Sequence, residues 1–172
     1  MGVALWALCA GLTARADYQS TVVGQAPVGY WRLDESATPP TGTSAVNLGS
    51  LGPAANGSYT AYPSKGQPGA IAGNNAVAFD GLTQWLTTPY SADLNPGAFT
   101  IEAWLQPATA TPSGNLTCVL ASMHSASPRA GWLIYQSGGS PDTSDPGWQL
   151  RLYGGAGTAT SLRLLLTNNV VA

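Results

Sequence analysis

The stretch AFDGLTQWLTTPYSADLNPGAFTIEAWLQP, Ala78 to Pro107, decides the fold class. Two alternating apolar segments flank a loop marked by Tyr-Ser-Ala-Asp and Asn-Pro-Gly. From Phe99 onward, Phe99, Ile101, Ala103 and Leu105 fall on one side of an extended chain, and Thr100, Glu102 and Trp104 on the other. A period of two is the mark of a strand with one buried face. Phe99–Gln106 is the strongest strand pattern in the chain, and it poses the functional question. Glu102 is either the carboxylate of a glycan-cleaving enzyme or a polar residue on the outside of a binding module.

The same grammar runs outward in both directions. Val28–Ser36, Ala76–Asp80, Trp85–Thr88, Thr117–Ser122, Gly131–Gln136, Trp148–Tyr153 and a last segment in SLRLLLTN read as strands. Trp148, Leu150 and Leu152 share one face. Pro39-Pro40 closes off a loop, because proline cannot join a central ladder. Asp17 to Gly29 is polar around a short Thr21-Val22-Val23 element. No segment of a dozen residues has helical spacing with caps. Short strands broken by Gly, Pro and Asn turns predict an all-β antiparallel sandwich or barrel, with Phe79, Ile101 and Leu150 in its core.

Composition narrows the class. The 172 residues suit one domain, and only 8% are charged, against a usual quarter. Six Trp and seven Tyr supply too much burial for a disordered chain. The net charge is −2 and the sequence has no run of basic residues, which argues against nucleic acid as a partner. Val3–Leu12 is an apolar run of signal-peptide length, followed by Ala14-Arg15-Ala16, a small-x-small cleavage pattern ahead of Asp17. Residues 1–16 are therefore expected to be a signal peptide, residues 17–172 a secreted or cell-surface domain. No Lys or Arg precedes the apolar run, and the run is too short to span a bilayer. Cys9 would leave with the leader, and Cys118 reads as a small buried hydrophobe.

At VGYWRLDES, NLGSLGPAANGSY, GQPGAIAGNNAVAFDG and FTIEAWLQP the chain resembles the laminin-G-like, concanavalin A-like domains of secreted proteins. The resemblance covers about Pro27 to Tyr153. It implies an antiparallel jelly-roll sandwich of two curved sheets that binds a glycan or an extracellular protein, and many members hold calcium. Two departures stand out. Asn47 replaces an acid of the family pattern, and the later Trp-His segment is missing, so the jelly roll is expected to be incomplete at the C-terminus.

Catalysis is disfavoured on chemistry. Retaining glucanases of this fold need two carboxylates close together, and Glu102 is the only acid on its segment; Glu35 is the only other glutamate. A single histidine, His124, excludes a paired-histidine metal site and leaves little for a serine triad. Calcium needs several oxygens. The acids at loops or strand ends are Asp34, Asp80, Asp93, Asp142 and Asp145, with Asp80 the metal candidate by position. Its competing role is to cap its own turn before Gly81. Trp85, Trp104, Trp132 and Trp148 are placed in strands, where most are expected in the core and some could stack on sugar rings. The reading is a secreted, non-catalytic binding module. A structural or adhesive segment of a larger surface protein and a degenerate glycoside hydrolase domain stay open as alternatives.

Overall fold

The computed structural model describes residues 17–36, 44–108, 117–124, 129–137, 147–154 and 162–166. Residues 1–16, the expected leader with Cys9, lie outside them, as do Pro39-Pro40, Asp142, Asp145 and the last six residues. Among the described residues the chain forms one short helix, α1 (Tyr18–Gly24), and nine strands: β1 (Ser44–Ala45), β2 (Gly57–Thr60), β3 (Ser64–Pro68), β4 (Asn75–Ala78), β5 (Trp85–Thr87), β6 (Thr117–His124), β7 (Ala130–Ser137), β8 (Gly147–Gly154) and β9 (Leu162–Leu166). They make three antiparallel sheets, ordered β1-β2-β5, β3-β4 and β6-β7-β8-β9. No described helix is long and apolar enough to cross a membrane.

The four-stranded sheet is a meander. Its register pairs Trp132 with Leu152, Ile134 with Leu150 and Gln136 with Trp148, so Trp148, Leu150 and Leu152 do share a face. Buried Gln136 lies on that face too, but Leu133, Tyr135 and Gln149 are buried on the other one. Tyr135 and Gln149 are fully buried. They are direct cross-strand partners, and the Tyr135 hydroxyl donates to Gln149 Oε1. A polar pair tolerates burial when its members satisfy each other. The Trp132 side meets the segment before Phe99: Trp132 Nε1 donates to the Leu94 carbonyl at 3.1 Å, Asn95 Nδ2 to Ser122 Oγ at 2.6 Å, and the Phe99 and Trp132 rings stack at 5.9 Å.

Three expectations are corrected, and the short element around Thr21-Val22-Val23 is shown to be helical. Phe99–Gln106 forms no ladder among the described residues; alternation supplies the faces of a strand but not a neighbour with free backbone groups. Val28–Ser36 is reduced to one bridge, Trp31 with Asn47, because Leu33 takes φ +55°, a left-handed conformation that ends any strand. The polar start contains a helix. Asp17 caps it by accepting from Ser20 N at 2.7 Å, and this outweighs the β-branched Thr21, Val22 and Val23. The core is not Phe79, Ile101 and Leu150: Phe79 is 38% exposed, while Ala45, Ala55, Tyr59, Leu133 and Tyr135 are buried.

Segment 27–31 is lashed to 47–51 instead of entering a sheet. Ser50 N reaches the Pro27 carbonyl at 2.9 Å, Leu51 N that of Val28 at 3.2 Å and Leu48 N that of Tyr30 at 2.8 Å. Buried Asn47 is the hub. Its Oδ1 accepts from Tyr30 N at 2.8 Å and Gly49 N at 3.0 Å, and its Nδ2 donates to the Gly52 carbonyl at 3.1 Å. A carboxylate could accept the first two bonds but could not donate the third, which is the physical reason for an amide here.

Candidate functional site

Glu102 and Trp104 stay on one side of the extended segment although it joins no sheet among the described residues. Both are exposed, Trp104 by 63%. Tyr18 of α1 reaches across to them. Its hydroxyl donates to Glu102 Oε1, and Trp104 Nε1 donates to the same hydroxyl oxygen at 2.9 Å. The Tyr18 ring meets the indole edge-on, with centroids 6.2 Å apart and planes at 77°. The indole is therefore fixed by a hydrogen bond and an aromatic contact while most of it faces solvent. Burial raises the Tyr18 hydroxyl above its ordinary pKa and donation to Glu102 adds to this, so Tyr18 remains a donor at neutral pH.

The neighbouring side chains are rich in acceptors. Burial raises the Tyr30 hydroxyl too. Arg32 pulls it down, and Asp34, Asp17 and Glu102 push it up. Arg32 is held by Asp34 at 2.9 Å and Gln19 Oε1 at 2.6 Å. Glu35, the second glutamate, is committed elsewhere: its Oε2 accepts from the Tyr59 hydroxyl at 2.8 Å, with Lys65 Nζ 4.6 Å from the centre of the Tyr59 ring. No second carboxylate hydrogen-bonds into the Tyr18–Glu102–Trp104 group among the described residues.

Asp80 builds its own turn. Oδ1 accepts from the backbone of Leu82 at 2.9 Å, Thr83 at 2.8 Å and Gln84 at 3.0 Å, and Oδ2 accepts from Thr83 Oγ1 at 2.6 Å. Gly81 supplies φ +71° for the bend. The Thr83 hydroxyl first, then the amides, hold the Asp80 carboxyl well below the usual carboxylate range. Oxygens committed to four donors do not fit a calcium ligand set at Asp80, and no group of three or more acids, His or Cys lies together among the described residues.

The other candidates divide. Trp85 on β5 is 53% exposed, while Trp132 and Trp148 are half-buried; the expected burial of strand tryptophans fails for Trp85 and Trp104. Asp93 lies in a single 3-10 turn capped by Ser91. His124 ends β6 opposite Ala130. Cys118 is exposed as a residue, against the expectation of a buried one, although neighbouring groups partly desolvate its thiol and raise the thiol pKa. The residue that sequence reasoning missed is Tyr18. The signal available was Asp17, a helix-capping residue directly before it.

Comparison of the chain with family models, with curated proteins and with solved structures finds no match to any of them.

Proposed function

We propose that this chain is a secreted, non-catalytic binding module of the laminin-G-like type, and that it recognises a glycan through the surface around Trp104. The observation that carries the reading is the Tyr18–Glu102–Trp104 group. An exposed indole held in one orientation presents a flat apolar face of the kind that stacks on the C–H side of a sugar ring. Glu102, two residues away on the same side, offers carboxylate oxygens to sugar hydroxyls. Pre-organisation matters because ordering a loose side chain costs about 0.5–1.5 kcal/mol at an interface.

The same observation weighs against hydrolysis. A retaining or inverting glycosidase works with a second carboxylate across the scissile bond, and Glu102 is tied to a tyrosine instead. The jelly-roll sandwich is the finer architecture that the resemblance suggests for these three sheets. Secretion follows in this proposal from the leader. A glycan array probed with the labelled full chain tests the reading: binding to a defined set of sugars, lost in Trp104→Ala with an unchanged melting curve, supports it. Binding that survives in Trp104→Ala, or release of reducing ends by the wild type, overturns it.

A further inference from the structure

Phe99–Gln106 has the alternation of a strand and the backbone of one without a neighbour. Its residues, Ile101 apart, are exposed. Among the described residues it joins no ladder and makes no backbone hydrogen bond. Its side chains nevertheless hold it in place. The Phe99 ring stacks on Trp132 from one face, and Glu102 and Trp104 meet the Tyr18 hydroxyl on the other. A row of free N–H and C=O groups held in line is a template for another strand. A segment that is already ordered also loses less freedom on pairing.

Proteins blunt such edges with short strands, breaks in register, charged residues or proline. The described sheet edges carry these devices. β1, β5 and β4 have two, three and four residues. β3 contains Lys65 and Pro68 and shifts register against β4. β6 shifts register between Cys118 and Leu120, and β9 contains Arg163. Phe99–Gln106 has no Lys, Arg or Pro, and its one charged residue, Glu102, is engaged by Tyr18.

We infer that the Phe99–Gln106 edge is an interface between two copies of this chain, which pair it antiparallel about a two-fold axis at Ala103. A partner strand must bring an apolar face of period two, and a second copy brings it in matching order. Directly opposite residues in an antiparallel pair point to the same face, so a two-fold pair always sets one residue against itself. With Ala103 on the axis, Phe99 meets Pro107, Thr100 meets Gln106, Ile101 meets Leu105 and Glu102 meets Trp104. The apolar side of one copy then continues into that of the other along the whole segment. With Glu102 on the axis two carboxylates would stand opposite, which destabilises a pair. Pro107 ends the ladder, because it has no N–H to give. The interface is isologous. It uses the backbone edge and does not rest on the glycan reading.

Sedimentation equilibrium of the full chain tests this, and the expected result is a reversible monomer–dimer equilibrium. Ala103→Glu and Ala103→Lys each set like charges opposite at the axis and should weaken the dimer roughly fivefold. Ala103 is exposed, so the melting curve of the dilute monomer should not move. An equal mixture of the two variants should recover the wild-type dimer, since unlike charges then face each other. In a chain with Cys9→Ser and Cys118→Ser, Ala103→Cys should oxidise to a covalent dimer, because directly opposite Cα atoms lie about 4.5–5.5 Å apart, within disulfide reach. Gln106→Cys should not, because its two copies would lie roughly 20 Å apart at about 3.4 Å per residue. The crosslink decides the matter even if a charged variant fails to fold. A chain that is monomeric at every concentration, open-ended assembly, a mixture no tighter than its separate variants, or Gln106→Cys that crosslinks as fast as Ala103→Cys overturns the inference.

Discussion

Asn47 supports a graded test of what holds the first half of the chain together. Its amide makes three side-chain hydrogen bonds, two accepted from Tyr30 N and Gly49 N and one donated to the Gly52 carbonyl. Asn47→Ala strands all three backbone groups at a buried position. An unsatisfied buried group costs about 1–3 kcal/mol. With partial access of water to the loop, the total should be roughly 3–5 kcal/mol, or a drop in Tm of about 10 °C for a chain of this size. Asn47→Asp keeps both accepted bonds and loses the donated one, so it should cost about 1–3 kcal/mol at neutral pH. The sign of its pH dependence follows. The new carboxylate faces the Gly52 carbonyl in a buried site, which raises its pKa above the unfolded value. The native state then binds the extra proton, and stability falls as pH rises through that raised pKa. Below it, the protonated acid donates to Gly52 as the amide did, and the deficit shrinks. Urea melts of the three proteins at neutral and mildly acidic pH measure this. A variant Asn47→Asp as stable as the wild type at neutral pH, or less stable than Asn47→Ala at acidic pH, would refute the hub.

Three further outcomes are expected. Gly49→Ala should destabilise by more than about 2 kcal/mol in the same melts, because its Cβ would stand 2.5 Å from the Val28 carbonyl oxygen. Glu102→Gln should leave stability within about 0.5 kcal/mol, since an amide oxygen still accepts from Tyr18 and the site is exposed. For Asp80, the lowered carboxyl pKa means its contribution is present above the ordinary value of 3.8 and is lost only as pH falls well beneath it; carboxyl NMR titration should show Asp80 still ionised below that value.

The sheets were legible where alternation met turn residues. β7 and β8 carry Trp, Leu, Ile and Tyr at a period of two between Gly- and Pro-rich loops, and both appear within a residue or so of the expected bounds. β3, Ser64–Pro68, was invisible because Lys, Gly, Gln and Pro carry no strand pattern; it exists as one edge of a two-stranded sheet. Phe99–Gln106 failed in the opposite sense. Its pattern correctly gave the side shared by Glu102 and Trp104, but pairing depends on a neighbour that no local pattern encodes. Left-handed Leu33 has no glycine or asparagine to announce it. At the candidate site the sequence offered Glu102 and Trp104, and the Asp-Gly pair offered the Asp80 turn. Asp17 could announce the helix that carries Tyr18, but not the contact of Tyr18 with Glu102, 84 residues away.

The most direct measurement of the central claim is an ¹⁵N NMR titration of the tryptophan indole N–H signals, with Trp104 assigned by its loss in Trp104→Phe. The probe is the soluble oligosaccharide that ranks highest on the glycan array. A saturable shift of the Trp104 indole signal, with Trp132 unmoved because its N–H is held by the Leu94 carbonyl at 3.1 Å, is the predicted result. A bound oligosaccharide that leaves the Trp104 signal in place would contradict the account.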